Sequence, residues 1–195
     1  MASELSSTAA LIVTRARSLL ATRGYDGFSY ADVAEAVGIS KPSIHHHFPS
    51  KATLVLRVVQ AYRAEALAGM HGLRQQVPDP LLCLQAWTHF WQACLRDGTL
   101  PFCICAMLAA EMATIPEEVG VVVRGHFDDL SGWLADLFAD GVRSGQFHLH
   151  GSAATEARSF MATIHGAMIA ARAYRDAERF ATLSNALVAR LTATH

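Results

Sequence analysis

The sequence contains no Gly-rich phosphate loop, no Gly-x-Ser-x-Gly and no His-Glu-x-x-His. These are the short motifs that cradle phosphates, expose a nucleophilic serine or hold a catalytic zinc. Without them no enzyme is expected: no catalytic residues, no cofactor. Glycine and proline are sparse, at 13 and 6 of 195 residues, and charged residues make up only 17%. Disorder is therefore not expected beyond the termini, and 52% hydrophobic content is ample for a buried core. Apolar runs are short and broken by charges, which excludes a membrane span. No basic start leads into an apolar run, so no secretory signal is read and a cytoplasmic location is expected. The four cysteines, Cys83, Cys94, Cys103 and Cys105, are then reduced thiols rather than a disulfide framework.

What the chain does have is helical periodicity. The most informative stretch runs from Phe28 to Phe48. Ser29 is placed to cap a helix, with Asp32 three residues on as a weak capping-box partner. Val33, Ala34 and Val37 follow at helical spacing, and Gly38 supplies the left-handed residue that ends the helix. Ser40 opens a second helix almost at once, with Pro42 in its first turn where the missing N–H is harmless. Ile44 and Phe48, four apart, turn one face of it toward the core. Two short helices around a brief Gly-containing turn make a helix-turn-helix, whose second helix can enter a DNA major groove. The polar positions of that helix (Lys41, Ser43, His45, His46, His47) include no carboxylate, as a surface meeting phosphates and base edges requires.

Residues 11–63 resemble the N-terminal domain of TetR-type repressors. The match includes the segment 22–28 (Thr-Arg-Gly-Tyr-Asp-Gly-Phe), the helix pair, and the segment 48–54 (Phe-Pro-Ser-Lys-Ala-Thr-Leu), in the family's order and spacing. The resemblance implies DNA contacts from Ser29, Tyr30, Lys41, Pro42, Ser43, His45, His46, His47 and Lys51. Lys51 matches the family's backbone-phosphate contact, and Ser29 offers its hydroxyl and the helix-end N–H groups to another phosphate. The family usually has Tyr at the position of His45. An imidazole can also donate to a phosphate, and it adds charge when protonated. The net charge of −1 does not itself suggest nucleic acid, but it is unevenly spread. Residues 1–60 carry six Lys/Arg against four Asp/Glu, and the other 135 carry ten against thirteen. That is compatible with a DNA-binding end on a neutral body.

The rest of the chain reads as all-α, about nine helices in total, without strands or repeats. Helices are expected over about 6–23, 50–73, 81–96, 103–114, 117–144, 153–174 and 176–193, besides the pair above. Breaks fall at 75–80, 97–101, Pro116 and 145–151. The last two helices alternate small residues (Ala157, Ala162, Gly166, Ala167, Ala170, Ala171, Ala173) with Phe160, Met161, Ile164, Met168 and Ile169. Small residues allow close helix approach, either within the chain or across a two-fold axis. The family resemblance implies the latter: a homodimer through these two helices.

His45, His46 and His47 point about 100° apart on a helix and cannot converge on one metal ion. No metal site is expected. For an effector, aromatics, methionines and a few polar groups gather in the second part of the chain: Trp87, Phe90, Trp91, Phe102, Cys103, Met107, Glu111, His126, Phe127, Trp133, Phe138, Met161, His165 and Met168. As a set they suit a small apolar or aromatic molecule. Glu111 and His165 either orient such a ligand or hydrogen-bond each other or the backbone. Cys103 begins a helix, where the dipole lowers a thiol pKa. The run 103–111 is similar to the corresponding helix in a cysteine-bearing branch of the family that senses electrophiles and oxidants, which implies Cys103 as a redox residue.

The sequence therefore points to a homodimeric regulator with DNA binding in residues 1–50 and effector binding and dimerisation in 51–195. It would bind a palindromic operator, most often as a repressor, and leave it on binding an apolar, aromatic or electrophilic effector. The alternative is a helical small-molecule-binding protein or enzyme with no DNA-binding role.

Overall fold

The computed structural model describes residues 6–99 and 102–192. Leu100 and Pro101, part of the expected break at 97–101, and residue 193, the expected end of the last helix, lie outside the described residues. Among the described residues the fold is all-α, as the periodicity predicts. The nine helices are α1 (Ser7–Arg23), α2 (Tyr30–Val37), α3 (Lys41–His47), α4 (Lys51–Gln76), α5 (Pro80–Asp97), α6 (Ile104–Ala109), α7 (Glu117–Arg143), α8 (Ala153–Tyr174) and α9 (Ala177–Thr192).

Local chemistry accounts for most of the boundaries. Ser6 Oγ accepts the Ala9 N–H at 3.3 Å, Asp79 Oδ1 that of Leu82 at 2.9 Å, and Ser152 Oγ that of Thr155 at 3.2 Å. Each satisfies a donor that the first turn of a helix leaves orphaned. Gly38 and Gly98 end their helices in the left-handed region, at φ 77 and 67. Among the described residues one left-handed stop is not a glycine: Arg175 takes φ 52 after α8, and the Asp176 N–H closes on the Ala171 carbonyl at 2.9 Å.

The largest departure from expectation is α6. A helix over 103–114 is expected, but it ends at Ala109, and the chain turns through 110–114 before α7. Glu111 is drawn out of helical register by a partner elsewhere, described below.

The chain packs as two compact units, Met1–Glu65 with Phe102–His126, and Ala66–Pro101 with Phe127–His195. The divisions fall inside α4 and α7. The first unit is built on α1, which packs on α2 and α6, and on the α2–α3 pair. Ile12, Ala16, Leu20, Val33, Ile44, Leu54, Val55 and Val58 are buried in it. In the second unit α9 packs on α5 and α8, over a core that includes Leu84, Leu134, Leu137, Phe138, Ile164 and Phe180. Phe138 meets Phe147 and Phe160 edge-on, at 5.7 and 5.5 Å between centroids, an arrangement aromatic quadrupoles favour.

Candidate functional site

The helix-turn-helix is closed by its own residues. Ser29 Oγ accepts the Ala31 N–H at 3.2 Å, and Asp32 Oδ2 accepts the Ser29 N–H at 2.7 Å. The capping box is therefore complete rather than weak. Hydrogen bonds from Ser29 and the Arg23 guanidinium push the Asp32 carboxyl down to about 2. In the turn, Gly38 N–H donates to the Ala34 carbonyl at 2.9 Å and Ile39 N–H to the same oxygen at 3.1 Å. Ser40 Oγ then caps α3 through the Ser43 N–H at 3.3 Å.

α3 buries Ile44 and leaves Lys41, Pro42, His45 and His46 exposed, with Ser43 and His47 half-buried. No carboxylate lies on this helix. His45 is held in place: Tyr30 meets its ring edge-on at 4.7 Å, and its Nδ1 lies 3.3 Å from the Pro49 carbonyl. Tyr30 is anchored in turn, its hydroxyl donating to the Phe48 carbonyl at 2.8 Å. Burial pushes the Tyr30 phenol up to about 12.

Two residues assigned to phosphates also have partners inside the fold. The Lys51 ammonium donates to the Phe28 carbonyl at 2.5 Å and sits 4.6 Å from the ring centres of both Tyr25 and Phe28. Partial burial lowers its pKa, opposed by Asp26, Glu111 and Asp32. The Ser29 hydroxyl donates to Asp32 at 2.6 Å.

The residues gathered by sequence as one effector site are divided between the two units. Phe102, Cys103, Met107, Glu111 and His126 belong to the first, and Trp87, Phe90, Trp91, Phe127, Trp133, Phe138, Met161, His165 and Met168 to the second. In the first, Cys103, Tyr62 and His126 form a buried cluster. The Tyr62 hydroxyl donates to Cys103 Sγ at 3.4 Å, and His126 Nε2 lies 3.8 Å from the same sulfur. The expectation of a lowered thiol pKa fails. Cys103 is only 1% exposed, and this burial raises its pKa despite hydrogen bonds from Tyr62 and the backbone of Ala106 and Cys105. As the cap of a six-residue helix, it gains too little from the dipole to offset lost hydration.

Glu111 bonds to the backbone, one of the expected alternatives. Its Oε2 accepts the Tyr25 backbone N–H at 2.7 Å, at the corner between α1 and α2. That partner is 86 residues away in sequence, and nothing local announces it. Tyr62, whose hydroxyl holds the Cys103 sulfur, gives no signal of this role in the sequence.

In the second unit Trp87, Trp91, Trp133 and Met168 are buried, whereas Phe90 is exposed. Trp133 meets Trp87 at 6.0 Å between centroids and donates its indole N–H to the Met70 carbonyl at 3.1 Å. His165 meets Phe127 edge-on at 5.3 Å, and Met161 Sδ accepts from the Ser131 hydroxyl at 3.4 Å. Burial lowers the His165 pKa, partly offset by a hydrogen bond to the Met161 backbone. An open groove of about 360 Å³ between α5 and α9 is lined by other residues, including Thr88, His89, Asn185 and Val188. Among the described residues no group of three His, Cys, Asp or Glu is placed to hold a metal ion, and no helix is long and apolar enough to cross a membrane.

A helix-turn-helix with a cationic, carboxylate-free second helix, carried by a larger all-α chain, defines a DNA-binding regulator. Residues 12–58 match the model of the tetR family of bacterial regulatory proteins, and 80–187 that of a tetracyclin repressor-like C-terminal domain. The second match alone spans more than half of the chain, and the protein belongs to the TetR family of transcriptional regulators. A TetR-family regulator of Agrobacterium tumefaciens superposes with a TM-score of 0.94 at 46% identity, over 96% of this chain and 98% of that one. The regulatory protein TetR of Rhodobacter sphaeroides superposes at 0.87 with 19% identity, over 95% and 100%, a likeness of fold. The HTH-type transcriptional regulator CymR of Pseudomonas putida is 42% identical over 45 residues, 23% of this chain and 22% of that protein. These family models and neighbours are of transcriptional regulators.

Proposed function

We propose that this TetR-family regulator is a repressor that binds a palindromic operator as a homodimer. Residues 1–50 bind DNA, and 51–195 bind an effector and dimerise, in the cytoplasm. The observation that carries the reading is the exposed α3 surface of Lys41, His45 and His46, free of carboxylates. Ser29, Tyr30, Pro42, Ser43, His47 and Lys51 complete the interface. Lys51 uses one of three ammonium donors on Phe28, which leaves donors for a phosphate.

Dimerisation is assigned to α8 and α9. α8 has two apolar faces: Ala157, Phe160, Ile164, Ala167, Met168 and Ala171 are buried within the chain, while Ala162, Gly166, Ile169 and Ala173 face outward. Leu183 on α9 is likewise exposed. The effector is a small apolar or aromatic molecule held among Trp87, Trp91, Phe127, Trp133, Met161, His165 and Met168. Coupling of the usual size, about 1–3 kcal/mol, is enough to shift operator occupancy.

A second reading of release rests on Cys103, whose sulfur faces both Tyr62 and His126. In it the Cys103 thiol adds across the activated C=C of an electrophile: the new S–C bond replaces the π bond, and the thiol proton ends on the neighbouring carbon. Cys103→Ser then keeps operator binding but loses release by N-ethylmaleimide. Unchanged release in that variant removes Cys103.

The test of the main reading is selection of duplexes from a random library by the full-length chain. A two-fold site with half-sites about one helical turn apart, bound by two protomers, is the expected result. An asymmetric site bound by one protomer overturns the dimeric-operator reading.

A further inference from the structure

We propose that His45 is a proton-gated phosphate contact, so that DNA affinity rises as this imidazole takes up a proton; the inference rests on α3 being the recognition helix. A backbone carbonyl can only accept, so the nitrogen 3.3 Å from the Pro49 oxygen, Nδ1, carries the N–H. The Tyr30 ring, edge-on at 4.7 Å, holds the imidazole plane. In neutral His45 the other nitrogen, Nε2, therefore presents a lone pair. A phosphodiester oxygen is an acceptor as well, and the two repel. Once a proton from solvent binds Nε2, the same atom donates a charge-assisted hydrogen bond to the phosphate, and no bond between heavy atoms changes. A neutral imidazole with no partner on Nδ1 could choose either tautomer and donate at any pH. The Pro49 carbonyl biases that choice toward the Nδ1–H form.

Several titratable groups on the elements around His45 are already engaged. From α2 comes Tyr30, neutral across the physiological range, its hydroxyl committed to the Phe48 carbonyl. Asp32 on the same helix is engaged by Ser29 and Arg23, and Glu35 is exposed. At the head of α4, Lys51 is turned onto Phe28. On α3 itself Lys41 stands one turn earlier, and His46 and His47 meet each other edge-on at 5.3 Å. Imidazoles as a class change charge between about pH 5 and 8, which sets the range for the test.

The test uses the full-length protein and a fluorescein-labelled duplex selected by it from a random library, at one fixed salt concentration because DNA affinity is salt-dependent. Wild type is expected to bind at least about tenfold more tightly at about pH 6 than at about pH 8. His45→Tyr supplies a hydroxyl that keeps its proton to about pH 10, and His45→Gln an amide donor that does not titrate. Both variants should reduce the ratio below about threefold, and His45→Tyr should bind more tightly than wild type at about pH 8. His46→Gln should keep the wild-type ratio. If both His45 variants retain the wild-type pH dependence, the gate is overturned. If no duplex is selected, or Lys41→Glu binds the duplex as well as wild type does, the recognition-helix reading fails and the gate with it.

Discussion

Gly24 and Glu111 share one small space. A side chain at residue 24 would bring its Cβ within 2.5 Å of Glu111 Oε1. Gly24 also takes φ 74 and ψ −171, a region of backbone space essentially reserved for glycine. The carboxylate fits over the bare backbone and accepts the Tyr25 N–H. The turn after α6 is thereby fixed to the corner that leads into α2.

Gly24→Ala should destabilise the protein by about 2 kcal/mol or more, from backbone strain and the clash together. Glu111→Ala alone should cost about 1–2 kcal/mol by orphaning the Tyr25 N–H. Because the alanine at 111 also removes the clash, the double variant should lose less than the sum of the two. Urea unfolding of the four proteins measures the coupling. Simple additivity would separate the two residues.

The dimer assignment makes Ile169 a sensitive position, since it is 59% exposed on the outward face of α8. Ile169→Glu should leave the protomer folded and convert the dimer to a monomer in analytical ultracentrifugation at micromolar protein. Operator affinity should drop at least about tenfold, because each half-site then binds alone. A dimer that persists in this variant would place the interface elsewhere.

His165 should make the fold acid-sensitive. Burial keeps its native pKa below the ordinary 6.5, so as pH falls through that value the unfolded chain takes up a proton before the native one does. The His165 contribution is present in full above pH 6.5 and is lost as the pH falls toward the native value. Thermal unfolding should show the midpoint of His165→Phe falling less than that of wild type between about pH 7 and 5. Equal falls would show that this imidazole is not held neutral by its surroundings.

The helices and their caps could be read from the chain because their determinants are local. Ser6, Ser29, Ser40 and Ser152 each lie one turn or less from the N–H they satisfy, and Gly38 makes its stop with its own φ. The division of the aromatic and sulfur-bearing residues could not be read this way. Glu111 finds Tyr25 across 86 positions, and that long-range contact accompanies the shortened α6. Cys103 illustrates a competition that sequence leaves open. Its place at a helix start favours thiolate, and its burial favours thiol. Only its near-complete burial in the fold shows that burial dominates, even against the hydrogen bond from Tyr62.

The account depends most on α3 meeting DNA. The direct measurement is fluorescence anisotropy of the selected duplex titrated with wild type and with Lys41→Glu. Lys41 is exposed at the first position of α3, so reversing its charge should leave the circular dichroism melt unchanged. The account predicts tight binding by wild type that weakens steeply with salt, and at least about a hundredfold loss in the variant from a missing phosphate contact and a new repulsion. Equal affinities for the two proteins would contradict it.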